Sequence, residues 1–388
     1  MMSKGDRAEF SGGEGMSEWR ECKLGEQINL KRGYDLPNRL RQDGAIPIYS
    51  SSGITGFHSE KMCEAPGVIT GRYGTIGKIF FSSTHYWPLN TTLYIQDFKG
   101  NDELFFYYFL QQLDWEKYSD KSAVPGINRN DVHQEDIVIP SLLEQKAIAS
   151  ILSSLDDKID LLHRQNRTLE AISETLFRQW FIEEAQEDWE QFSLSDICSG
   201  ITKGTTPTTL GHQFTESGIN FIKAESITDE GDFVAHKFAK ISKETHQSLK
   251  RSIVQNGDLL CSIAGTIGRI AIVDNSILPA NTNQAVAIIR ANREKCSPEF
   301  IYLFLKSSMF KELMDGKVVH AVQPNLSLGE IGSTTLQLPN LNILNEFQEM
   351  IYPIFHKKSQ NTLQIRILEK LRDNLLPKLM SGEVRVEI

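Results

Sequence analysis

The stretch from Pro140 to Phe181, PSLLEQKAIASILSSLDDKIDLLHRQNRTLEAISETLFRQWF, constrains this chain more than any other. Ile148, Leu152, Leu155, Ile159, Leu162, Asn166, Leu169, Ser173 and Leu176 follow a four-then-three spacing, which keeps one mostly apolar seam along a helix. Ser141, with Glu144 three residues on, predicts the start of that helix through a reciprocal cap. A second copy, from Pro339 to Met380, follows 199 positions later without a gap: Pro140 falls on Pro339, Ile148 on Phe347, Leu152 on Ile351 and Leu176 on Leu375. One helix cannot bury such a seam alone, so the two copies are expected to pair with each other as an antiparallel coiled coil. At about 1.5 Å per residue, roughly 40 residues make a rod of about 60 Å. Asn166, Lys358 and Asn361 put polar groups on the seam, where they fix register at a cost in stability. Pro353 and Pro377 are expected to bend the second helix, and Gly382 to stop it.

The segments before the two helices also repeat. Trp19 aligns with Trp189, Leu24 with Leu194 and, after a one-residue shift, Gly33 with Gly204. Gly74-Thr75-Ile76-Gly77-Lys78 meets Gly265-Thr266-Ile267-Gly268-Arg269, while Pro88 and Asn90 meet Pro279 and Asn281. Each block reads as strand, glycine turn, strand, loop, strand, then a short helix (105–110 and 300–305) and a Pro-containing loop (Ala123-Val124-Pro125; Ala321 to Pro324). A last apolar strand ends in Pro140 or Pro339. The largest insertion in the second copy lies between 204 and 257 and is rich in lysine.

The fold class expected is therefore α+β: two pseudo-repeated mixed α/β domains separated by two long helices that form an antiparallel coiled coil. The expected divisions are a disordered extension at 1–18, a first domain at 19–140, a central helix at 141–187, a second domain at 188–339 and a C-terminal helix at 340–388.

Composition excludes several classes. No run reaches the roughly 20 apolar residues of a membrane span, and no leader pattern opens the chain, so a cytoplasmic protein without membrane contact is expected. Five scattered cysteines with no CxxC pair argue against a disulfide framework and a zinc site. The net charge of −9 is concentrated: residues 141–188 carry 5 Lys or Arg against 10 Asp or Glu. The two domains are near neutral, so basic patches on them remain compatible with a nucleic-acid partner.

The glycine blocks do not bind nucleotide by a known loop. Arg72 stands where a Walker A loop needs glycine, Ile79 follows Lys78, and the glycines at 71, 74 and 77 do not fit GxGxxG. A tight hairpin using positive φ is the plainer reading, with Lys78 or Arg269 at its base reaching phosphate as the functional one. No catalytic histidine or carboxylate pattern is visible, and His320 reads as structural. Candidate DNA contacts in the first domain are Lys31, Arg32, Arg39, Arg41, Arg72, Lys78, Asn90 and Thr91. In the second they are Lys203, Lys223, Lys240, Lys243, Arg269, Asn281, Asn283 and Gln284. Arg and Lys suit phosphates and guanine, Asn and Gln suit adenine, and a solvated face is the ordinary alternative for each charge.

The order domain, helix, domain, helix, with GTIG and PxNT in each domain and a terminal LRDNLLPKLMSGEV, resembles the specificity (S) subunit of type I restriction-modification systems from Trp19 onward. That resemblance implies two target-recognition domains, each reading one half of a bipartite double-stranded DNA target. It implies helices that set the spacer and dock two methyltransferase (M) subunits, with translocase-nuclease (R) subunits joining for cleavage. It implies a non-catalytic chain that binds no cofactor, S-adenosylmethionine, ATP and Mg belonging to the partners. In the first helix, Leu176 to Phe181 (LFRQWF) departs from the terminal LLPKLM, so the two docking surfaces are expected to differ. A specificity module for another DNA-modifying system, or a two-domain protein-binding scaffold, are the alternatives.

Overall fold

The computed structural model describes residues 19–119, 126–312 and 326–387. The N-terminal extension, His320 and the loops Ala123-Val124-Pro125 and Ala321 to Pro324 lie outside them. The chain divides into two units, one of residues 1–160 with 367–388 and one of residues 161–366.

In the first unit, a four-stranded antiparallel sheet is formed in the order Asn29–Arg32, Thr92–Asp97, Gly67–Gly71, Ile79–Ser82. A three-stranded sheet places Ile46–Ser50 between antiparallel Gly53–His58 and parallel Trp87–Pro88. A two-stranded sheet joins Arg20–Lys23 to Asp136–Ile139. The second unit repeats all three: Cys198–Lys203, Val286–Ala291, Leu259–Ser262, Ile270–Ile272 in one sheet, then Ala239–Ile241, Ile219–Ile222, Ala280–Thr282, and the pair Glu190–Ser193 with Thr335–Leu338. Strand order and direction match sheet for sheet, so the repeat seen in the sequence is a repeat of topology.

The short helices Glu103–Leu110 and Pro298–Lys306 begin alike. The side chain of Asp102 accepts the amide of Phe105, and that of Ser297 accepts the amide of Phe300, which satisfies a donor that the helix itself cannot. Both helices are almost entirely buried. The five cysteines are free thiols; Cys261 and Cys296 are buried, and burial pushes the Cys198 thiol up to about 12.

The first long helix runs Leu142–Arg178 and widens into a π turn over Gln179–Glu183; the second runs Leu341–Ser381 and stays helical through both Pro353 and Pro377. Gly382 ends it at φ 75°. The Ser141 hydroxyl accepts the Glu144 amide at 3.4 Å, as the cap requires. The helices pair antiparallel within each unit. In the first, Glu144 meets Arg385 and Asp156 meets Arg372 at 2.8 Å; in the second, Asn166 meets Asn361, Glu170 meets Lys358 and Phe181 packs on Phe347. Every expected seam position from Ile148 to Leu176 is buried or half-buried.

The two seam asparagines are paired with each other. Asn361 donates to Asn166 at 3.0 Å, and Asn166 donates to Thr362 at 3.2 Å. Two tyrosines extend the tie to the domains: Tyr108 donates to Asp156 at 2.6 Å, and Tyr302 donates to Glu170. Burial and the adjacent carboxylates hold both phenols protonated, well above their ordinary range.

Helix and domain share one core in each unit. In the first, Ile148, Leu152, Leu376, Leu379 and Met380 join Phe105, Phe106 and Leu110. In the second, Phe177, Phe181, Phe347 and Ile351 join Phe300, Phe304 and Ile331. The LFRQWF departure thus has a packing reason: where Leu376 and Met380 pack in the first unit, Phe177 and Phe181 pack edge-on to Phe300 and Phe347 in the second.

Candidate nucleic-acid interface

Each four-stranded sheet carries the same loop junction at one end, and glycine builds it. Behind Arg32 the chain turns so closely over the Pro88–Thr92 loop that a Cβ on Gly33 would sit 2.2 Å from the Leu89 carbonyl oxygen. The amide of Gly33 donates to Thr92 and that of Tyr34 to Pro88. In the second unit a Cβ on Gly204 would sit 1.9 Å from the Thr282 oxygen, and the Thr205 amide donates to Thr282. Only glycine admits that approach, which is why Gly33 and Gly204 align.

The GTIG hairpins stand beside these junctions. Gly74 and Gly77 take φ of 78° and 80°, Gly265 and Gly268 take 77° and 88°, so the turn reading holds in both repeats. In the first unit the Arg72 amide donates to Thr91 at 2.8 Å, binding the hairpin's root to the Asn-Thr loop.

That arrangement gathers Arg32, Arg72, Asn90 and Thr91. The Arg32 Nε–H donates to the Asn90 carbonyl at 3.4 Å, the Asn90 amide donates to Asp35, and the Arg72 guanidinium lies 4.6 Å over Tyr73. Lys31 stands 5.5 Å over Tyr34 on the same strand end, and exposed Lys78 lies 5.4 Å over Phe80. Cations held over aromatic faces are pre-placed without being neutralised. Arg39 is exposed on the turn Asn38–Leu40, and Arg41 lies beside the strand Gly53–His58, its Nε buried without a partner.

In the second unit the junction holds Lys203, Asn283 and Gln284, with Gln284 bonded to Thr206 and Arg251 donating to Thr205 at 3.2 Å. Exposed Lys243 lies on the short helix Lys243–Ser248 of the insertion. Lys240 sits on the three-stranded sheet and donates to Asn220 at 2.6 Å, and Lys223, just beyond the strand Ile219–Ile222, lies 5.3 Å over Phe214.

Two residues are engaged inside the fold. Arg269 is fixed by Asp229 at 2.8 and 3.3 Å and by the Ile227 carbonyl at 3.1 Å, and the guanidinium holds the Asp229 carboxyl below its usual value. Asn281 is 0% exposed, because the Asn-Thr segment here is a short parallel strand, Ala280–Thr282, buried along its length. Its counterpart Asn90 falls just beyond the strand Trp87–Pro88 and stays at the surface loop.

Tyr34, Tyr73 and Arg251 enter these neighbourhoods without having stood among the expected contacts. The aromatic residues flanking Arg32 and Arg72 were the available signal for the first two, and the Lys250-Arg251 doublet for the third. The site as built offers cations, amides and aromatic faces, the groups that meet phosphates and base edges. Among the described residues no group of three or more His, Cys, Asp or Glu side chains could hold a metal ion, and no helix is long and apolar enough to cross a membrane.

Comparison with known proteins agrees with this arrangement. The type I restriction modification DNA specificity domain matches residues 16–171 and again 186–373. The type I restriction enzyme MjaIX specificity subunit of Methanocaldococcus jannaschii is 28% identical over 310 residues, 73% of this chain and 69% of that protein. The HindI specificity subunit of Haemophilus influenzae is 24% identical over 340 residues, 69% of this chain and 72% of that protein. The crystal structure of the type I restriction-modification system S subunit from M. genitalium has the same fold, at a TM-score of 0.64 and 16% identity, over 96% of this chain and 98% of that one.

Proposed function

The chain belongs to the family of type I restriction modification DNA specificity domains, and from that premise we propose that it reads a bipartite DNA sequence for a modification complex. Residues 19–140 and 188–339 act as target-recognition domains, each taking one half-site. The helices at 141–187 and 340–388 set the spacer and dock two methyltransferase subunits; restriction subunits join the same assembly. Methylation and cleavage, with S-adenosylmethionine, ATP and Mg, belong to those partners.

The observation that carries this reading is the repeated junction of glycine-tightened loop, Asn-Thr segment and hairpin in two units of the same topology. A duplicated reader suits a target in two parts. In the first domain Lys31, Arg32, Arg72 and Lys78 take phosphates or guanine edges, beside Asn90 and Thr91. In the second, Lys203, Lys243 and Arg251 serve the backbone, with Asn283 and Gln284 toward bases and Lys223 and Lys240 at the flank. Arg269, already neutralised by Asp229, holds its hairpin in place instead.

Footprinting of the chain bound to its methyltransferase partner on target DNA tests the reading. Two protected half-sites separated by a less protected spacer are expected. A single contiguous protected site would overturn the bipartite part.

A further inference from the structure

The insertion that only the second domain carries brings a histidine to Asn281. The Asn281 amide nitrogen donates to the Leu249 carbonyl at 3.2 Å, and its side-chain oxygen faces the Nδ1 of His246. A carbonyl oxygen only accepts, so the Leu249 contact fixes which end of the amide is nitrogen. The end that meets His246 is then an oxygen, and Nδ1 of His246 must carry the hydrogen. In the uncharged ring this leaves Nε2 as the one remaining hydrogen-bonding atom, a pure acceptor.

The surroundings place that ring at an open surface. His246 is half-buried on the short helix Lys243–Ser248 and lines a depression of about 820 Å³ together with Lys243, Lys250, Ile253 and Pro279. Exposed Lys243 and Lys250 supply positive charge for a phosphate backbone at its edge. Asn281 cannot itself reach a ligand, being fully enclosed. A buried amide with both ends engaged, one of them orienting a ring at the rim of a basic depression, is the arrangement of a positioning residue behind a reader.

We infer that His246, oriented by Asn281, is a base-reading residue of the second domain, whose Nε2 accepts a hydrogen bond from an exocyclic amino group in the major groove. That group is N6 of adenine or N4 of cytosine, the amino donors the major groove presents. The inference rests on the DNA-reading function proposed above and adds to it a residue, an edge and a donor.

The test uses the intact complex of the chain with its methyltransferase partner and duplexes carrying each base pair at every position of both half-sites. H246A should lose about 10-fold or more of its discrimination at one base pair of the half-site assigned to residues 188–339, with the remaining positions unchanged. Whether that base is adenine or cytosine identifies the donor. A duplex whose base lacks the amino group should bind the wild-type complex as weakly as H246A binds the natural duplex. H246Q, which keeps an acceptor oxygen, should recover part of the preference. A uniform loss across the half-site, or no change at any position, would overturn the assignment, since a ring that only props the insertion moves every position together. A wild-type complex with no sequence preference at all would instead overturn the DNA-reading function itself.

Discussion

Phe347→Ala is expected to destabilise the second unit by about 3–5 kcal/mol, the cost of emptying a fully buried aromatic site. Phe347 is 0% exposed and packs against Phe177, Phe181 and Phe300 at ring separations of 6.2, 4.7 and 6.2 Å. Those rings come from the first long helix, its π turn and the short helix of the domain, so one cavity loosens three elements at once. The first unit has its own core, to which Phe347 does not belong. Hydrogen exchange should therefore show lost protection within residues 161–366 and little change in the strands of residues 19–119. An equal loss in both would mean that the cores are not independent.

Arg385→Ala is expected to cost the first unit about 3–5 kcal/mol, because it removes the bidentate cationic partner of a buried carboxylate. Glu144 is 1% exposed and receives the guanidinium through Nε at 2.6 Å and Nη2 at 2.8 Å, a bidentate pair. The same guanidinium lies 5.4 Å over Trp19, and the Trp19 ring passes close to Gly382. The tail after the second helix is thereby fastened to the start of the first helix and to the opening strand region. Replacing both partners by leucine should recover most of the loss, since an apolar pair leaves no charge unpaired. Thermal unfolding of the two single variants and the double variant measures this. A loss under about 1 kcal/mol for Arg385→Ala would mean that the pair behaves as a surface pair.

The parts of this fold written in local pattern were legible in the sequence. The helix seam follows from spacing alone, because any register other than the observed one exposes Ile148, Leu152, Ile159 and Leu162 together. The hairpin glycines follow from the steric map, since φ near 78° is open to glycine and little else. Arg32, Arg72, Asn90 and Thr91 lie close together because the loops that carry them are tied by backbone hydrogen bonds around Gly33. What was not legible depends on contacts distant in sequence. Asn281 looked like the twin of Asn90, but it lies in a short parallel strand and is met by His246, 35 residues earlier in an insertion that the first domain lacks. Arg269 looked like the twin of Lys78, but Asp229 lies 40 residues before it in the same insertion. Alignment of the repeats identifies equivalent backbone; it does not reveal which side chain an insertion has captured.

The central claim is that each domain reads its own half of the target. Exchanging residues 188–339 for the matching domain of a relative with a different target, then mapping methylated adenines in cells that carry the complex, tests it most directly. The account predicts one half of the methylated sequence replaced and the other half and the spacer unchanged. A change in both halves, or in neither, would contradict it.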